Sequence, residues 1–169
     1  MSNLEECIIK AHEDGLADHI AVRVGKGEQI LNDCFYSADY EINSKTLFDM
    51  ASVTKIMVTT MLTLIAADRK LLNFDDKVNR FFPCPKDKSE LTIKHLLTHT
   101  MGYGHRSLCE KGNTYDNIQN YILSLPCDFP VGTKVDYSCP GFILLGKILE
   151  KVFGDRLDRL FISLIAAPL

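Results

Sequence analysis

Apolar residues fall into a few helix-length segments separated by short polar connectors, and a single stretch near the beginning reads as strand. Leu4, Ile8, Ile9 and Leu16 recur at helical spacing around residues 4–16 and the run stops at Gly15, which predicts a surface helix. Residues 20–36, I-A-V-R-V-G-K-G-E-Q-I-L-N-D-C-F-Y, form two β-rich runs around G-K-G, a hairpin pattern. Residues 48–69 are almost wholly apolar and long enough for a helix. In L-L-N-F-D-D-K-V-N-R-F-F-P-C-P, Asp75 is placed to cap a short helix that Pro83 and Pro85 end. Residues 91–100 predict a short helix capped by Thr92, and M-G-Y-G-H a loop loosened by glycine. Further helices are predicted over 113–126, 140–153 (strongly amphipathic) and 156–166.

The strand signal is therefore confined to the start and the rest is helical, an α+β (α/β) pattern. Two strands alone do not bury a sheet face, so the hairpin reads as part of an incomplete antiparallel sheet whose open edge invites self-association.

At 169 residues, 46% hydrophobic and 24% charged, the chain can bury one good core, which excludes disordered and collagen-like classes. A net charge of −3 with scattered Lys and Arg offers nucleic acid no basic footprint. The start, M-S-N-L-E-E-C, is not a secretory leader, and no run reaches the roughly 18 apolar residues of a membrane helix, so no membrane partner and a cytoplasmic location are expected. Cys7, Cys34, Cys84, Cys109, Cys127 and Cys139 contain no C-x-x-C pair and are expected to be reduced thiols.

Ser52 and Lys55 interrupt the apolar run of 48–69. Three apart on a helix, they share a face, and a lysine buried without compensation costs several kcal/mol. A serine hydroxyl becomes a nucleophile when a base takes its proton, and an amine partly buried in an apolar helix is expected to spend time neutral and serve as that base. The helix N-terminus adds positive potential, and the serine's own N–H can face a developing oxyanion. A capping serine beside a snorkelling lysine has the same spacing, so the pair needs context.

Context comes from T-L-F-D-M-A-S-V-T-K, D-R-K-L-L-N-F-D-D-K-V, L-T-I-K-H-L-L-T-H-T-M-G and V-D-Y-S-C-P-G-F-I-L-L-G-K-I-L-E-K-V-F-G, in this order. Together they resemble the serine β-lactamase and penicillin-binding-protein family, which also contains carboxylesterases and D-amino-acid peptidases. The resemblance implies a β-lactamase/DD-peptidase-like fold: one partial domain over 1–169, with helix and hairpin in 1–40 and the helical lobe in 41–169. It implies that Ser52 is acylated, that Lys55 accepts its proton, and that Tyr137, opening the family's Y-x-N element, shuttles protons to the leaving group. Cys139 stands where that element has asparagine, at a substrate-binding position, and replaces an amide by a weak thiol donor. The third family motif, K-T-G or a histidine-containing equivalent, follows no segment here, so the chain is expected to be part of a longer product. The expected substrate is a small ester, amide or peptide rather than a β-lactam, with no metal and no cofactor; the rival is a non-catalytic penicillin-recognising or interaction module, or an inactive fragment.

The remaining candidates have simpler readings. His95 and His99 have zinc-like spacing in H-L-L-T-H but lack the glutamate of H-E-x-x-H, so they are expected to be structural. His105 is placed at a cleft rim or simply on the surface. Gly102 and Gly104 fit no phosphate loop, and Lys147, Glu150 and Lys151 are expected to form a solvated helix face.

Overall fold

The computed structural model describes residues 3–106, 108 and 117–169, and divides into two compact units, one ending at Asp49 and one spanning Met50–Leu169. In the first, helix α1 (Asn3–Glu13) carries Glu5 and Glu6 in its first turn and Lys10 and His12 in its last, charges that oppose the helix dipole. Its end is closed by Gly15 at φ 73°, a left-handed turn in which the Leu16 N–H reaches the Ala11 carbonyl at 3.0 Å. The hairpin follows as β1 (His19–Lys26) antiparallel to β2 (Gln29–Ser37), joined through Gly27 at φ 59°, with a register shift at Val24/Gly25. Helix α1 packs on both strands, burying Ile8 and Cys34.

In the second unit, a π-helical segment (Lys55–Thr60) runs directly into α2 (Met61–Asp68), then come the short α3 (Ile93–Leu97), α4 (Ile118–Ser124), α5 (Cys139–Phe153), and α6 (Leu157–Phe161) with a π-helical end (Ile162–Ala166). Helix α5 is the hub and packs against α2, α3, α4 and α6. Apolar residues on most of its circumference require this: Phe142, Leu144, Leu145, Ile148 and Leu149 are all buried, each Leu or Ile contributing about 1.5–3 kcal/mol. Ser138 caps its start, accepting from the Gly141 N–H at 3.2 Å, and Gly154 at φ 73° closes its end.

Thr92 caps α3 as expected, and the cap is reciprocal: its hydroxyl accepts from the His95 N–H while His95 Nδ1 accepts from the Thr92 N–H at 3.2 Å. Asp75 does not cap the next element. The 3₁₀ turn Val78–Arg80 is entered from Lys77 without a side-chain cap, and the neighbouring Asp76 instead accepts from the Asn73 N–H at 2.8 Å and pairs with Arg80. The Met101–Gly104 segment is a loop, as expected, but a packed one: Met101 and Tyr103 are buried and the Tyr103 hydroxyl donates to the Ile122 carbonyl at 2.5 Å. Of the expected solvated face, Lys151 is exposed and donates to the Phe81 carbonyl at 2.6 Å, while Lys147 and Glu150 are half-buried and pair at 3.0 Å, Glu150 also accepting from the Leu157 N–H. Glu150 and Lys151 thereby tie α5 to its neighbours. Of the predicted 113–126 helix, 113–116 lie outside the described residues, as does Cys109; the described cysteines are free thiols. No helix among the described residues is long and apolar enough to cross a membrane.

Candidate active site

Ser52 lies on a tight turn that feeds the π-helical segment. Ala51 before it has φ 41°, a conformation costing a non-glycine residue about 1–2 kcal/mol, and successive turn bonds link Val53 to Met50 (2.9 Å), Thr54 to Ala51 (3.2 Å) and Lys55 to Ser52 (3.1 Å). The turn leaves Ser52 exposed at the helix's wet end with Lys55 half-buried one turn on. Lys55 Nζ donates to Ser52 Oγ at 3.1 Å. The wide π-helical register of Lys55–Thr60, a feature frequent at functional sites, departs from the plain α-helix expected here.

Tyr137 arrives from the loop before α5. Its hydroxyl donates to Ser52 Oγ at 2.7 Å, across a separation of 85 residues. Lys55 Nζ also lies 5.0 Å from the Tyr137 ring centroid and 6.0 Å from that of Phe142. Ser52, Lys55 and Tyr137 therefore converge at one oxygen. Cys139, at the first position of α5, is a half-buried thiol; with Lys55, Ala51, Thr54 and Phe142 it lines a cavity of about 360 Å³ that neither Ser52 nor Tyr137 lines.

The influences on the Lys55 amine oppose one another. Burial pushes the Lys55 ammonium down, but hydrogen bonding to Tyr137 and the nearby Cys139 outweigh it and hold the group above its ordinary value.

The loop carrying Tyr137 is docked on the segment after α3. His99 there has φ 57°; its carbonyl accepts from the Asp136 N–H at 2.8 Å and its Nδ1 from the Ser138 N–H at 3.0 Å. Its ring lies 4.7 Å from that of Tyr137 and 5.0 Å from that of Phe142. Burial first, then the Lys55 charge, hold its pKa below the ordinary value. Close approach is completed by Gly104, where a Cβ would run into the Asp136 carboxylate. His95, in its capping box, and His99 are engaged in separate bonds, and His105 is exposed. The sequence signals that could have marked His99 and Gly104 were both inside L-T-I-K-H-L-L-T-H-T-M-G and the loop after it, but a left-handed histidine has no signature in residue type.

Comparison with known proteins gives the same region a family context. The Beta-lactamase family model matches residues 9–169. Esterase EstB of Burkholderia gladioli is 33% identical over 93% of this chain and 46% of its own length, and N-acetylmuramyl-L-alanine amidase of Bacillus subtilis is 30% identical over 70% of this chain and 30% of its own. The chain thus spans less than half the length of either relative. In fold it is similar to a class C beta lactamase from Rhodobacter sphaeroides, with TM-score 0.84 and 22% identity over 98% of this chain and 48% of that one.

Proposed function

This chain belongs to the beta-lactamase family of serine hydrolases, and from that premise we propose that Ser52 attacks the carbonyl of a small ester or amide to form an acyl-enzyme that water resolves. The observation that carries the reading is the convergence of the Tyr137 hydroxyl (2.7 Å) and the Lys55 ammonium (3.1 Å) on Ser52 Oγ. Tyr137 is the proton carrier: its hydroxyl oxygen takes the Ser52 proton as Oγ bonds to the carbonyl carbon, and it passes a proton to the leaving oxygen or nitrogen as the tetrahedral intermediate collapses. Lys55 is the charge that stabilises whichever of the two oxygens is ionised, a role fitted to an ammonium. The Ser52 N–H, at the start of the helix where backbone amides lack intrahelical acceptors, is one donor to the oxyanion. Water then attacks the ester of Ser52 by the reverse route. Cys139, which shares a cavity lining with Lys55, is the proposed substrate-binding thiol. Esters and amides are favoured as the substrate class because the two relatives are an esterase and an amidase.

A fluorophosphonate probe followed by peptide mass mapping tests the reading. One covalent adduct is expected at Ser52 and none in Ser52→Ala, together with p-nitrophenyl ester turnover that survives chelator. An unlabelled Ser52 under conditions where the protein is folded, or labelling that persists elsewhere in Ser52→Ala, overturns it.

A further inference from the structure

We propose that His99 is a positioning residue: it latches the loop that carries Tyr137 and so sets the reach of the Tyr137 hydroxyl to Ser52. The inference rests on the reading of Ser52 as nucleophile and Tyr137 as proton carrier. One residue holds the backbone on both sides of Tyr137, through its carbonyl to the Asp136 N–H at 2.8 Å and through Nδ1 to the Ser138 N–H at 3.0 Å. Its ring then lies against the phenol itself, centroids 4.7 Å apart. The left-handed backbone at φ 57° is what allows both groups of His99 to address the same strand of chain.

The latch specifies a tautomer. An amide N–H is a donor only, so Nδ1 must carry a lone pair, and the neutral ring holds its proton on Nε2. A cationic ring would aim an N–H at an N–H and lose the Ser138 bond. The pair of backbone bonds also explains why a histidine rather than a glycine occupies a left-handed position: glycine would keep the turn and lose the second bond and the ring face.

Three variants separate this role from plain packing. His99→Leu keeps the bulk but has no acceptor; His99→Asn tolerates a positive φ and carries a short-reach acceptor near the Nδ1 position; His99→Gln places its acceptor farther out. With a p-nitrophenyl ester, His99→Leu is expected to lose about 10²-fold in kcat, the scale of an ångström misplacement, with KM little changed. His99→Asn should recover to within about fivefold of the unaltered protein and His99→Gln should not. A folded His99→Leu with unaltered kcat, or His99→Asn as impaired as His99→Gln, overturns the latch. Long-range ¹H–¹⁵N NMR on the unaltered protein tests the tautomer without depending on whether any variant folds: an unprotonated Nδ1 is expected, and a protonated one overturns the proposal. If the unaltered protein forms no Ser52 adduct while the NMR result is as expected, the functional reading fails and the latch geometry stands.

Discussion

Tyr137→Phe is the sharpest test of how the proton moves. The substitution removes one hydroxyl and keeps the ring that sits 4.7 Å from His99 and beneath Lys55 Nζ at 5.0 Å, so the loop retains its stacking and both backbone bonds. The lost hydrogen bond, to Ser52 Oγ, belongs to an exposed side chain, and a bond of that kind contributes no more than about 0.5–1.5 kcal/mol. Thermal stability should therefore barely change. Proton transfer by a positioned side chain is worth about 10²–10⁴ in rate, which at about 1.36 kcal/mol per decade is roughly 2.7–5.4 kcal/mol of barrier. The two magnitudes differ enough to be told apart. The rate constant for fluorophosphonate labelling of Ser52 should fall at least about 10²-fold in Tyr137→Phe, measured beside a melting curve that overlays the unaltered one. Labelling within about threefold of the unaltered rate would refute the assignment, since the proton would then leave Ser52 by another route. Lys55 is the only other titratable group bonded to that oxygen among the described residues, so Lys55→Met would become the next variant to measure.

Gly104→Ala brings a Cβ into the Asp136 carboxylate and should displace the Tyr137 loop, lowering both melting temperature and labelling rate; adding Asp136→Ala should restore both, and independent additive losses in the double variant would contradict the contact. His95 and His99 are both held below their ordinary pKa, chiefly by burial, so the folded state resists a proton that the unfolded chain accepts. Their contribution to stability is complete above about pH 6.5 and is lost as pH falls below it toward the folded values; urea titrations from pH 7.5 to 5 should show the decline, and His99→Asn should flatten it. Leu145→Ala, at a side chain with 0% exposure in the centre of α5, should cost about 2–5 kcal/mol by urea denaturation; a loss under about 1 kcal/mol would mean that α5 is not the hub of the core.

Helix α5 was legible in the sequence through its strongly amphipathic apolar run, whereas the Ser138 cap and the closing Gly154 came with the structure. The Thr92 cap and the hairpin were legible too. Ser52 and Lys55 were legible as a pair from spacing, but Tyr137 lies 85 residues from Ser52 and entered only through family resemblance. What stayed hidden was tertiary. Asp75 and Asp76 are equivalent as letters, and only the path of the chain selects Asp76 to hold the Asn73 N–H. Lys147, Glu150 and Lys151 have the pattern of a wet face, yet Lys147 pairs with Glu150 while Glu150 and Lys151 reach backbone groups beyond the helix. His95 and His99 have one spacing and two unrelated jobs, because a φ of 57° at His99 turns its ring away from the helix that His95 caps.

The protonation of Lys55 shows why composition around a residue is a poor guide to its electrostatics. An apolar run argues for a desolvated amine only if its side chains enclose that amine. Here Val53, Ile56 and Met57 are 45%, 67% and 42% exposed, so the apolar neighbours in sequence leave the lysine only half-buried. Desolvation is still the largest single influence on Lys55, yet Tyr137 and Cys139, drawn from beyond the helix, together exceed it. The chemical consequence is a division of labour. In the proposed division of labour the tyrosine at 2.7 Å from Ser52 carries the serine proton and the lysine supplies charge beside it. The run that first made Lys55 look like a base places it where its value is the charge it keeps.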